Sequence, residues 1–168
     1  GTVIGSYKGV DAHSNGGFYS FEKNPDHQCT KYVQQFYSHV YNYSISFGVP
    51  YASNIFDAAK AHNDFNVYEN QKTLAPPKPD DILCYKGGED GFGHVAIITK
   101  VDLQNKTLDI IDENRSAENA RYEKIPITIN NGIYSVSSLG VGSKYSVQGW
   151  VRLKSNEGNN DNDQTASV

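Results

Sequence analysis

The segment that most constrains this chain runs from Gln28 to about Tyr41. It contains no Gly or Pro, and Tyr32, Val33, Phe36 and Val40 recur at three- and four-residue spacing, the period of an amphipathic helix. Asp26 stands just upstream as an N-cap. A shorter helix is predicted over 53–62, with Ile55, Phe56, Ala58 and Ala59 turned inward. Past Pro76, Pro77 and Pro79 the pattern becomes that of strands, over 82–85, 94–101, 107–112, 132–136 and 147–153. Residues 1–26 read as turns and short extended pieces. Helices first and sheet second predict an α+β domain, with N-terminal helices packed on an antiparallel β-sheet. That domain is expected to span 1–153; residues 154–168 offer almost nothing to bury and read as a disordered tail or linker.

Charge and apolar content exclude several functions. The 19 acidic and 15 basic side chains leave a formal charge of -4, with no Lys/Arg cluster. Neither a nucleic acid nor an anionic membrane surface is an expected partner. The longest apolar run, Val95–Ile98, is far short of the ~18 residues of a membrane span. The chain has no methionine, so Gly1 reads as the start of a processed or excised piece. Secreted, periplasmic and cytoplasmic locations all stay open.

The two cysteines do not make a disulfide framework. Cys84 lies mid-strand among Ile82, Leu83 and Tyr85 and reads as core. Cys29 opens the first helix, where the partial positive charge of the terminus favours a thiolate; a small buried hydrophobe is the competing reading. His94, behind Gly93, opens the strand His94-Val95-Ala96-Ile97-Ile98. A hairpin centred near Gln104 and Asn105 would fold the next strand back so that His94 meets Asp112 or Asn114, with Glu113 turned away. A thiol, an imidazole and a polar group that orients it constitute a nucleophilic site. Gln28 and the Cys29 backbone N–H are candidate oxyanion donors. His13 and His27 flank the proposed cleft, while His39 and His62 read as surface. No His/Cys/Asp spacing suits a metal, and no cofactor is expected.

Gln28-Cys29-Thr30-Lys31-Tyr32-Val33, Pro79-Asp80-Asp81-Ile82-Leu83, Gly93-His94-Val95-Ala96-Ile97-Ile98 and Asp112-Glu113-Asn114 together resemble the CHAP superfamily of cysteine, histidine-dependent amidohydrolases and peptidases. The resemblance implies a papain-like α+β fold, with Cys29 as nucleophile, His94 as base and Asp112 orienting it. Asn114 is implied as a supporting residue. Glutamate is commoner at the third place, so aspartate, one methylene shorter, demands a closer approach. Gly1-Thr2, Gly9-Val10, Ser14-Asn15, Lys86-Gly87-Gly88, Asn131-Gly132-Ile133-Tyr134 and Gly149-Trp150 are most similar to the amidase domain of glutathionylspermidine amidase/synthetase. His27, Lys31, Ser14 and Asn15 are then the expected substrate-binding residues. The helix after Cys29 lacks that subgroup's arginine, and Lys31 cannot make a bidentate fork. The expected substrate is a glutathione–polyamine amide, or alternatively a peptidoglycan peptide cut by a lysin or effector. An inactive binding module is the third reading.

Overall fold

The computed structural model describes residues 1–17 and 28–158. A hairpin of β1 (Val3–Tyr7) and β2 (Val10–His13) precedes helix α1 (Cys29–Tyr41). A single 3-10 turn, Ala52–Asn54, leads into the short helix α2 (Ile55–Lys60). Seven strands follow: β3 (Phe65–Glu69), β4 (Ile82–Gly87), β5 (His94–Asp102), β6 (Thr107–Ile111), β7 (Arg121–Asn130), β8 (Ile133–Val136) and β9 (Tyr145–Leu153). They form one antiparallel sheet in the order β3-β9-β4-β5-β6-β7-β8.

The sheet curls until its ends meet. Gln71 N–H donates to the Tyr134 carbonyl (2.9 Å), and Tyr134 N–H donates to Thr73 (2.9 Å). Two apolar faces result. The concave face encloses Leu83, Tyr85, Ala96, Ile98, Leu108, Ile110, Ile125 and Trp150. On the convex face Ile82, Cys84, Val95, Ile97, Ile111 and Val151 pack under Tyr32, Val33, Phe36 and Phe56 of the helices. Burial on both faces is why β5 reads as an unbroken apolar run rather than an alternation. Cys84 is fully buried, as its neighbours suggested.

The α+β architecture is that expected, with differences of detail. Within 1–26 the sequence pointed only to short extended pieces, and two of them pair as a hairpin. The sequence pattern passed over β3 and β7. β7 contains Pro126, which cannot donate to a ladder. It is accommodated beside a bulge: register shifts between Leu108 and Ile110 of β6, and Lys124, at φ 60, donates its N–H to the Asp109 side chain (2.9 Å). The chain beyond Leu153 does not turn into tail at once. Lys154–Asn156 form a 3-10 turn, and Glu157 accepts from Asn66 (2.5 Å), Arg152 (2.9 Å) and the Tyr68 hydroxyl. The rest of the expected tail, from 159, lies outside the described residues, as does the Asp26 cap.

Two buried acidic residues just before β4 tie neighbouring elements together. Arg152 from β9 grips both oxygens of buried Asp81 (2.8 and 2.7 Å) and donates to the Pro76 carbonyl (2.9 Å). Asp80 takes the Tyr7 hydroxyl (2.6 Å), Lys8 Nζ (2.6 Å) and the Tyr41 hydroxyl. This joins the first hairpin, α1 and β4.

Candidate active site

The site forms at one rim of the sheet, where the start of α1 meets the start of β5. Cys29 is the first helical residue, so its backbone N–H has no acceptor within the helix. His94 opens β5, opposite Tyr85 at the last β4–β5 pair. Gly93 makes that placement possible. It sits at φ +71, and a Cβ there would lie 2.5 Å from the Tyr85 carbonyl oxygen and 2.7 Å from Ser53 N. Only glycine lets the two backbones approach so closely at such a φ.

The β5–β6 hairpin closes through Asp102↔Thr107 and Val101↔Leu108. Its register carries Asp112, one residue past β6, to His94. His94 Nε2 lies 2.7 Å from Asp112 Oδ2, with both residues 1% exposed. The shorter side chain therefore reaches the imidazole at full hydrogen-bonding distance. With Nε2 engaged, Nδ1 is the nitrogen left for the thiol, and Cys29 and His94 line the same cleft. Burial opposes charge on His94, but the Cys29 and Asp112 side chains outweigh it and push the imidazole up to about 9.

The Asn114 side chain bonds to two other amides. Its Nδ2 donates to Gln28 Oε1 (2.8 Å), while its Oδ1 accepts from Asn15 Nδ2 (3.0 Å). The backbone at Asn114 is left-handed (φ 70), a conformation asparagine tolerates better than most residues. A chain of three amides thus orients Gln28, the residue preceding Cys29. Glu113 turns the other way, as the strand alternation required. It is wholly buried, accepts the His13 N–H (2.6 Å), and burial pushes it up to about 7.

The sequence reading missed Arg115. Its Nε lies 3.1 and 3.0 Å from the two Asp112 oxygens, and another nitrogen donates to the Asn119 carbonyl (3.1 Å). Its position three residues after Asp112 in a short connection was the available signal, but no periodicity applies to such a loop.

A cleft of about 160 Å³ opens over Cys29 and His94, and Gln28, Lys31, Tyr51, Asp90, Phe92, Asn114 and Tyr145 are among the residues lining it. Lys31 is therefore at the cleft. Ser14 and Asn15, expected to bind substrate, are not. The Ser14 hydroxyl accepts the Gly16 N–H (3.1 Å), and Asn15, 4% exposed, donates to Asn114 behind the cleft. His13 likewise pairs with Glu113 (3.5 Å) instead of lining it. His27 lies outside the described residues. A larger cavity, about 710 Å³, lies between α2, β3 and β9 and touches neither Cys29 nor His94. Among the described residues no three His, Cys, Asp or Glu side chains converge as a metal site would require.

The CHAP domain model matches residues 19–114. No curated protein matches the chain by sequence. A solved structure, that of the wild-type endolysin LysIME-EF1, aligns with a TM-score of 0.45 and 17% identity, over 90% of this chain and 59% of that one. This chain thus spans less than two thirds of that endolysin's length. The finer likeness to a glutathionylspermidine amidase domain finds no support in these comparisons. A family model that matches more than half of the chain shows that the protein belongs to the CHAP domain family.

Proposed function

We propose that the protein hydrolyses peptide amides of peptidoglycan, as an amidase or endopeptidase, through a thioester on Cys29. The observation that carries the reading is the buried His94–Asp112 pair at 2.7 Å, beside which Cys29 lines the same cleft at a helix start. The Cys29 thiol passes its proton to His94, and the sulfur attacks the amide carbonyl carbon. Negative charge develops on the carbonyl oxygen, and the Cys29 backbone N–H and the Gln28 side-chain amide donate to it. As the C–N bond breaks, His94 gives its proton to the departing amine, leaving an acyl thioester. His94 then takes a proton from water as it attacks the thioester; the C–S bond breaks, the carboxylic acid leaves, and His94 returns the proton to the Cys29 sulfur. Asp112 holds the ring throughout and stabilises its charge.

What favours peptidoglycan is membership of the CHAP family, in which wall-peptide cleavage is the prevailing role; a glutathione–polyamine amide remains the second substrate to test. Mass spectrometry of products from parallel incubations with purified peptidoglycan and with glutathionylspermidine, each with a Cys29→Ala control, decides between them. Wall fragments absent from the mutant reaction are expected. Spermidine release alone would overturn the peptidoglycan reading while keeping the thiol chemistry, and silence in both would remove the enzyme's assigned substrates.

A further inference from the structure

The two walls of the cleft differ in chemistry. On the helix side stand Gln28, Thr30 and Lys31. On the loop side Tyr51 and Phe92 stack at 4.2 Å between ring centroids, 13° from parallel, and Tyr51 remains 38% exposed. Beside this stack lies Asp90. Its Oδ1 accepts the Phe92 N–H (3.1 Å), which ties the carboxylate to the aromatic wall. Its neighbour Glu89 is bound to Lys144 (2.8 Å), but among the described residues no Lys or Arg pairs with Asp90. A second cavity of about 430 Å³ continues past Asp90 and Tyr145, so the substrate has a path along this wall.

We propose that Asp90 and the Tyr51–Phe92 stack form a subsite for a protonated amine of the substrate, next to the amide that Cys29 attacks. An ammonium group is attracted both by a carboxylate and by an aromatic face, and this wall offers the two together at the reacting thiol. The inference deepens the proposed function by naming the substrate class, a peptide amide carrying a free amino group, and it depends on Cys29 being the reactive thiol.

Site-resolved labelling of Cys29 separates the two ideas without a substrate. The probes are methyl methanethiosulfonate (neutral) and its trimethylammonium-ethyl analogue (cationic), with modification at Cys29 and Cys84 followed by peptide mass spectrometry. The cationic-to-neutral rate ratio at Cys29 is expected to fall about fivefold in Asp90→Asn, which retains the Oδ1 acceptor for Phe92. Raising ionic strength to about 0.5 M should shrink the difference, since exposed charges are screened. Tyr51→Ala is expected to lower the same ratio about twofold. An unchanged ratio in Asp90→Asn, or a fall in both rates alike, overturns the subsite. Failure of the neutral reagent to label wild-type Cys29 would instead overturn the thiol reading, and the subsite with it.

Discussion

Arg115 and Asp112 are joined three residues apart, with Arg115 Nε within 3.1 Å of both carboxylate oxygens. The carboxylate that holds the imidazole is therefore itself held, in a site where both side chains are almost entirely buried. Removing one member of such a pair leaves an uncompensated charge away from water. Arg115→Ala is expected to cost about 3–5 kcal/mol of folding stability, read as a lowered urea midpoint with an unchanged slope. Arg115→Lys should recover less than half, because an ammonium cannot reproduce the planar fork. A midpoint within error of the wild type would show that Asp112 needs no such clamp.

The elevated His94 sets a pH window. The imidazole must be charged to protonate the leaving amine, and in the fold it stays charged up to about 9. The activity profile is expected to fall on its alkaline side near that value. Asp112→Asn removes one source of the elevation, so its alkaline limb should move to lower pH, with kcat reduced about 10²–10⁴-fold. The stability linkage has a defined sign: a histidine raised above its ordinary 6.5 stabilises the fold fully below that pH, and the contribution is lost as pH rises through about 9. Parallel pH–rate and pH–denaturation series check both. A limb that stays put in Asp112→Asn would contradict the pairing.

The amide chain Asn15–Asn114–Gln28 can be broken without straining the backbone. Asn114 occupies a left-handed position (φ 70), which glycine adopts without strain. Asn114→Gly should therefore retain most of the fold's stability yet lower kcat about tenfold to a hundredfold by releasing Gln28, with a smaller change in KM. Full activity in this variant would mean that Gln28 needs no orientation from Asn114.

The sequence by itself determined the elements whose periodicity is local. The 3–4 spacing of Tyr32, Val33 and Phe36 specified α1 and the face it buries. The hairpin between β5 and β6 carried enough register information to bring His94 to the residues around 112–114. The Ile125, Ile127 and Ile129 alternation of β7 was also present in the sequence but was passed over; the bulge that accommodates Pro126 is a property of the paired strands. Only the tertiary structure decided which of Asp112 and Asn114 meets the imidazole, since both lie on the same face and a single strand offers no means to choose. It alone brought Arg115 onto Asp112, moved Asn15 from the cleft to a position behind it, and set Asp90 beside an aromatic stack drawn from two separate loops. These contacts join residues in irregular connections, where neither a helix nor a strand period constrains the direction of a side chain, so their geometry emerges only when the sheet curls and its rim is assembled.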